Sequence, residues 1–275
     1  MTLTGIRIVS TAVNVPGPVA TSMLRDLGAT IVKVEPPSGD PLDLMAPAWY
    51  ASLRAGAEMI RADLKTNQGR ERMTQLLATA DVLITSSRPS SLERLGLAWA
   101  NLHPRHPRLC AVAIVGYATP RADVTGHDLT YQAEAGLVTP PALPRTLIAD
   151  LAGAQRAVIA ALELLFARER KGDAGYAEVS LAESAKLFAA PLDHGLTLSV
   201  GVLGGAAAAY NVYTAREGHV AVAALEPHLR TALARELGVD VGNPEALGRA
   251  FLQRSALDWT RWADLTGLPV AAVKG

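Results

Sequence analysis

Short apolar runs rich in β-branched residues alternate with helical stretches through the first two thirds of the chain. Each run is bounded by turn residues, which is typical of buried strands. The predicted strands are IRIVS (6–10), TIVKVE (30–35), EMIRADLK (58–65), DVLITSS (81–87), LCAVAIVGY (109–117) and YAEVSLA (176–182). Helical patterns fill most of the intervals, and this alternation predicts an α/β fold with an open, mostly parallel, Rossmann-like sheet.

The pattern changes near residue 200. A predicted helix from Glu183 to about Val200 runs into a glycine-rich stretch, and the segment NVYTAREGHVAVAAL then alternates like a hairpin with its turn at 216–218. Helical periodicity over 227–237, 244–255 and 258–265 completes the chain. We therefore expect a large α/β domain over residues 1–199 and a smaller α+β domain over residues 200–275.

Charge and cysteine content narrow the class of protein. The 26 basic and 26 acidic residues balance, so nothing indicates binding to nucleic acid or to an anionic membrane surface. The single cysteine, Cys110, lies in an apolar run, which excludes a disulfide framework and a cysteine metal site. The start of the sequence has no signal-peptide pattern, and the weakly polar run 195–210 is too short and too rich in glycine to span a bilayer. We expect a soluble, cytoplasmic protein.

The first strand–helix loop argues against a dinucleotide site. Glu35 ends the second strand where a ribose-binding acid belongs, but the loop reads Pro16-Gly17-Pro18 and lacks the glycine spacing that a pyrophosphate needs. The histidines are scattered and none has the spacing of a helical zinc site, so we expect no metal.

Residues 126–153, GHDLTYQAEAGLVTPPALPRTLIADLAG, hold the candidate chemistry. Asp150 precedes a long run of helix formers and is predicted to be an N-cap, beside free N–H groups. Gly153 is predicted to let a ligand approach the backbone. His127 and Asp128 add an imidazole and a second carboxylate, a combination that suits proton transfer next to a carbonyl. An ordinary cap and an ordinary polar histidine are the alternatives that the residues alone leave open.

Several segments, in order, resemble the superfamily of family III CoA-transferases and α-methylacyl-CoA racemases. They are GIRIVS with PGPVATSMLRDLGATIVKVEPPSGDP, DLKTNQGRERMTQLLATADVLITSSRPSSLERLGL, GHDLTYQAEAGL with LIADLAGA, ARERKGDAGYAEVSLAES, and YNVYTAREGHVAVAALEPH. Members are usually longer, and their C-terminal part returns to the large domain, whereas this sequence ends at LPVAAVKG. The glycine-rich loop of formyl-CoA and related transferases is not recognisable.

The resemblance implies roles for four residues. Asp150 matches the nucleophile of the transferases and one acid/base of the racemases. His127 matches the racemases, since transferases commonly carry Tyr there, and Glu226 matches the glutamate that pairs with the racemase histidine. Asp128 matches the aspartate that follows this position. On these grounds the chain resembles the racemase branch more closely than the transferase branch.

Substrate contacts are predicted from the same blocks. The resemblance implies an acyl-CoA thioester as substrate and no tightly bound cofactor beyond that CoA. Arg88, Arg94 and Lys33 are candidate partners for its phosphates, with ordinary surface charge as the alternative for each.

Three hypotheses follow. The first is a racemase or epimerase that inverts the α-carbon of a 2-methylacyl-CoA-like thioester by 1,1-proton transfer, with Glu226 orienting His127. The second is a CoA-transferase in which Asp150 attacks the thioester to form a mixed anhydride. The third is a catalytically silent CoA-binding protein. A homodimer is expected, since members of the family that the sequence resembles interlock and the segment 187–209 is apolar.

Overall fold

The computed structural model describes residues 2–274. The chain divides into two compact units, residues 1–189 and 190–275. The division falls ten residues before the domain boundary that the sequence predicts at 199/200, within a helix rather than after it.

The first unit is built on a parallel sheet of six strands in the order β3-β2-β1-β4-β5-β6. The strands are β1 (Arg7–Ser10), β2 (Thr30–Glu35), β3 (Glu58–Arg61), β4 (Val82–Thr85), β5 (Cys110–Val115) and β6 (Tyr176–Ser180). Every residue of β4 and β5 is buried, as the apolar runs predict for strands covered on both faces. The predicted α/β class and parallel sheet are confirmed. The third strand ends at Arg61 and is shorter than the predicted run 58–65.

Nine helices are described in the first unit and its boundary. They are α1 (Pro16–Asp26), α2 (Pro41–Met45), α3 (Pro47–Leu53), α4 (Asn67–Leu77), α5 (Pro89–Leu95), α6 (Trp99–Leu102), α7 (Asp128–Glu134), α8 (Ile148–Lys171) and α9 (Leu181–Asp193). One core cluster joins the sheet to α1 and α8, and a second joins it to α4 and α6. The buried face of α8 consists mostly of alanines, which lets that helix lie close to the strands.

The second unit has its own core. Strands β7 (Tyr210–Thr214), β8 (His219–Ala223) and β9 (Val270–Ala272) form an antiparallel sheet in sequence order, packed with α10 (Pro227–Leu237), α11 (Pro244–Phe251) and α12 (Ala256–Thr266). The predicted hairpin and three helices are present. Two features differ from the prediction: α9 contains Pro191 and ends at Asp193 rather than near 200, and the final segment contributes a third strand.

Among residues 2–274, no helix is both long enough and apolar enough to cross a membrane.

Candidate active site

A cavity of about 550 Å³ lies beyond the carboxyl ends of the central strands of the first unit. Strands β1 and β4 are neighbours, and the chain leaves them towards opposite edges of the sheet. In open α/β sheets this point of reversal is where loops diverge and ligands bind. The loops after β1, β4 and β5 line the cavity, together with the starts of α7 and α8. Its chemically active lining residues are Asn14, Ser86, Ser87, Arg88, His127, Asp128, Tyr131 and Asp150.

A hydrogen bond joins the side chain of Asp128 to the backbone of Asp150. Asp128 is the first residue of α7 and is 6% exposed. Its Oδ1 accepts the backbone N–H of Asp150 at 3.0 Å, and its Oδ2 accepts the side-chain amide of Gln132 at 2.5 Å. The predicted N-cap is therefore wrong, because α8 begins at Ile148 with Leu147 as N-cap, and Asp150 is the third helical residue. Asp128, distant in sequence, supplies the oxygen that satisfies a free N–H of the first turn.

The carboxylate of Asp150 lines the cavity and lacks hydrogen-bond donors within the described part of the chain. No group among residues 2–274 donates a hydrogen bond to it. Burial, and then the negative charge of Asp128, raise the pKa of Asp150 to about 7. Near neutral pH this carboxylate is poised between its two protonation states, and its ionised form is poorly solvated. Such a group suits nucleophilic or acid–base work.

His127 is the N-cap of α7, is exposed and lines the same cavity. Its backbone N–H donates to the Thr130 hydroxyl at 3.0 Å, which fixes the start of the helix. The structure thus brings three of the four predicted catalytic residues to one cavity.

Glu226 lies in the second unit as the N-cap of α10, directly before Pro227. Its predicted pairing with His127 stays a prediction.

The structure gives Gly153 a different role from the one that the sequence predicts. A Cβ at this position would lie 2.1 Å from Cδ2 of Leu181, on α9. The glycine is buried, so it allows α8 to pack against α9 instead of opening the backbone to a ligand.

The structure places the three predicted phosphate partners in three different environments. Arg88 is exposed, lines the cavity and donates to the Thr125 hydroxyl at 3.2 Å. Arg94 is exposed, donates to Ser91 at 3.0 Å and does not line the cavity. Lys33 is 3% exposed, with its ammonium 2.8 Å from Asp40, so it holds the neighbouring loops together instead of facing a ligand.

Two residues of the site were missed from the sequence. Tyr131 lines the cavity, and Gln132 is fully buried against Asp128. They lie three and four residues after Asp128, so helical periodicity counted from that aspartate puts them on its face of α7. That signal was available in the sequence.

Comparison with known proteins identifies the family. The model of CoA-transferase family III matches residues 3–273 of this chain. The chain belongs to CoA-transferase family III.

Family III relatives are named for transferase chemistry. A probable fatty acyl-CoA transferase of Mycobacterium tuberculosis is 32% identical over 66% of this chain and 51% of its own length. The formyl-CoA:oxalate CoA-transferase of Streptomyces avermitilis is 29% identical over 62% of this chain and 45% of its own length. A CaiB/baiF CoA-transferase family protein of Caenorhabditis elegans is 30% identical over 94% of this chain and 81% of its own length. The chain thus spans about half the length of the first two of these curated relatives.

Solved structures agree with the fold. The crystal structure of a hypothetical protein from Mycobacterium tuberculosis superposes with a TM-score of 0.85 at 27% identity, covering 99% of this chain and 84% of that one. A CAIB/BAIF family protein from Brucella suis gives a TM-score of 0.82 at 24% identity, covering 99% and 84%, and supports the fold alone.

Proposed function

We propose that this protein is a CoA-transferase that moves CoA between an acyl-CoA thioester and a carboxylic acid, with Asp150 as the nucleophile. The observation that carries the proposal is the Asp150 carboxylate, which lines a cavity without a hydrogen-bond donor among residues 2–274. The names of the relatives support transfer rather than racemisation, so the second hypothesis is favoured over the first.

The poor solvation of Asp150 serves this chemistry. An ionised oxygen of Asp150 attacks the thioester carbonyl carbon, the C–S bond breaks, and CoA leaves as a thiolate. The product on the protein is a mixed anhydride between Asp150 and the acyl group. The thiolate then attacks the aspartyl carbonyl, which forms an aspartyl-CoA thioester and releases the first acid as a carboxylate. The acceptor carboxylate attacks this thioester to form a second mixed anhydride and frees the thiolate. The thiolate attacks the acceptor's carbonyl carbon in that anhydride, which gives the new acyl-CoA and restores the Asp150 carboxylate. A carboxylate already held by several donors would be a weaker nucleophile.

Asp128 acts as a positioning residue in this scheme. It accepts the backbone N–H of Asp150 at 3.0 Å and its charge contributes to the raised pKa of that carboxyl. Because Gln132 donates to its other oxygen, Asp128 is held in one orientation. His127, at the rim of the cavity, serves substrate binding rather than proton transfer.

Arg88 is the proposed phosphate partner of CoA, with Arg94 as a more distant one. Within the described residues 2–274, the Arg88 guanidinium has one hydrogen-bond partner, the Thr125 hydroxyl at 3.2 Å, and so keeps donors for an anion.

A homodimer is proposed as well. The segment 187–209 exposes apolar side chains that include Leu187, Phe188 and Val200. A monomeric mass by light scattering at micromolar concentration would contradict this.

The racemase stays the second candidate, because His127 and Asp150 line one cavity. The two activities separate at single residues. Asp150→Asn removes the nucleophile and stops transfer, while His127→Ala leaves most of it. In a racemase both changes suppress α-proton exchange, since a general base contributes roughly 10²–10⁴-fold.

The experiment uses a panel of acyl-CoAs in D₂O, with and without acceptor acids. Transfer that needs an acceptor and dies only in Asp150→Asn supports the proposal. Exchange at the α-carbon without an acceptor, lost in both variants, would favour the racemase. Asp173→Asn, an exposed loop aspartate, is the matched control. CoA-ester binding without either reaction would favour the silent binding protein.

A further inference from the structure

Tyr131 is the one polar side chain of α7 that lines the cavity and has no role in the scheme above. It is the fourth residue of that helix and only 3% exposed, yet it lines the same cavity as Asp150. Its ring packs edge-on against Tyr117, with centroids 5.2 Å apart. Among residues 2–274 its hydroxyl has no hydrogen-bond partner, and it is not one of the fully enclosed unpartnered side-chain atoms. The hydroxyl is therefore open to the cavity.

Two glycines make room for this hydroxyl. A Cβ at Gly116 would lie 2.2 Å from the Tyr131 oxygen, and a Cβ at Gly126 would lie 2.7 Å from it. Both glycines also line the cavity. The backbone at the end of β5 and the backbone before α7 thus hold the phenol in one place.

Burial, more than nearby charge, keeps the hydroxyl protonated and able to donate. Burial, then Tyr117 and Asp150, raise the pKa of Tyr131 to about 12, so the group stays protonated throughout the neutral range. Tyr131 and Asp150 line the same cavity. No hydrogen bond joins the Tyr131 hydroxyl to the Asp150 carboxylate, so both groups stay available to a ligand in that cavity.

We propose that the Tyr131 hydroxyl donates a hydrogen bond to the thioester carbonyl oxygen while Asp150 attacks the carbonyl carbon. This rests on the proposed transferase function. As the Asp150–carbon bond forms, the carbonyl π electrons move to oxygen and Tyr131 stabilises that oxyanion without giving up its proton. The negative charge returns to form C=O when the C–S bond breaks and the CoA thiolate leaves.

The test compares two phenylalanine variants that each remove one hydroxyl from the same ring pair. Tyr131→Phe is expected to lower kcat for transfer by about 100-fold, with KM changed less than threefold (about the loss of one oxyanion donor). Tyr117→Phe is the control, since its hydroxyl donates to Glu134 at 2.6 Å and it does not line the cavity. Its kcat is expected to stay within about twofold of wild type.

A third variant moves the hydroxyl instead of removing it. Gly116→Ala is expected to lower kcat, and the double variant Gly116→Ala/Tyr131→Phe is expected to be no slower than Tyr131→Phe alone, since the displaced oxygen is gone. Thermal unfolding of each variant checks that it is folded, and Tyr131→Phe keeps the ring should Gly116→Ala fail to fold.

The outcomes separate the two claims. A Tyr131→Phe enzyme with wild-type kcat, while Asp150→Asn is inactive, overturns the role of Tyr131 and leaves the transferase standing. Equal losses in Tyr131→Phe and Tyr117→Phe, or a loss confined to KM, also overturn it. Should Asp150→Asn keep full transfer activity, both claims fall.

Discussion

Two clusters of buried or half-buried acids lie beside the same end of the parallel sheet, and they differ in how many hydrogen-bond and charge partners the acids have. In the first, the Lys33 cluster (Lys33, Glu35, Asp40 and Tyr50), Asp40 is 2% exposed and lies 2.8 Å from the Lys33 ammonium. It also accepts the backbone N–H groups of Asn14 at 2.9 Å and Leu42 at 3.0 Å, while Tyr50 donates to Glu35. In the second, the Asp150 pair (Asp128 and Asp150), Asp128 has its donors and Asp150 has none among residues 2–274.

The difference separates a structural acid from a reactive one. A buried charge with a full set of partners stabilises the geometry around it, whereas a half-buried carboxylate beside a like charge is held in an unfavourable state that chemistry relieves. The Lys33 cluster holds the loop after β1, which includes the cavity-lining residue Asn14. This cluster therefore supports the cavity, whereas the Asp150 pair supplies its reactive group.

The same substitution in the two clusters is expected to have opposite effects on stability. Asp40→Asn leaves the Lys33 ammonium buried without its counterion and is expected to lower the free energy of unfolding by about 3–5 kcal/mol. Urea titration at pH 7 measures it. A loss of less than about 1 kcal/mol in the free energy of unfolding would mean that the Lys33–Asp40 ion pair is solvated, and the two clusters would then not differ as described. Asp173→Asn, on the surface, controls for the change itself.

Asp150→Asn is expected to stabilise the protein. The folded pKa of about 7 lies above the ordinary 3.8, so the folded state holds its proton more tightly than the unfolded state. Wild-type stability therefore falls as pH rises from about 4 to 7, by roughly 2–4 kcal/mol after allowance for partial exposure. The asparagine variant gains most above pH 7 and nothing near pH 4. The helix keeps its cap, since the Asp150 N–H is accepted by Asp128. Unfolding titrations at pH 4.5 and pH 8 measure the difference in free energy of unfolding between Asp150→Asn and wild type. The same difference at both pH values would contradict the raised pKa of Asp150.

Gly153→Ala tests whether the wall behind Asp150 is tightly packed. The added methyl would meet Leu181, so we expect a loss of about 1–3 kcal/mol despite the better helix propensity of alanine. Leu181→Ala in the same chain should relieve part of this loss. Simple stabilisation by Gly153→Ala would mean that α8 and α9 have room between them.

Arg88→Ala is expected to raise KM for the acyl-CoA several-fold with little change in kcat, since a phosphate contact is equal in ground and transition states. Arg94→Ala should have a smaller effect, because Arg94 does not line the cavity. The difference from wild type should shrink at high salt. Unchanged KM in both variants at low salt would show that neither arginine contacts the CoA phosphates.

The fold was largely predictable because its signals are local. Apolar runs such as LCAVAIVGY and the turn at 216–218 carry their structure in neighbouring residues. Two details of the first and second turns of α8 were not predictable, because they depend on partners far along the chain. The cap comes from Asp128, and the space at Gly153 is filled by Leu181. The burial of Lys33 was hidden for the same reason, since nothing in TIVKVE says that Asp40 folds back onto it.

The raised pKa of the Asp150 carboxyl tests the account most directly, because it needs no knowledge of the substrate. Carboxyl carbons labelled with ¹³C in aspartate, followed by NMR between pH 3 and pH 9, report every aspartate at once. We predict one resonance that titrates with a midpoint near 7 and is missing from Asp150→Asn. If the resonance lost in Asp150→Asn titrates near 4 in the wild type, then Asp150 is an ordinary solvated acid and the proposed nucleophile loses its physical basis.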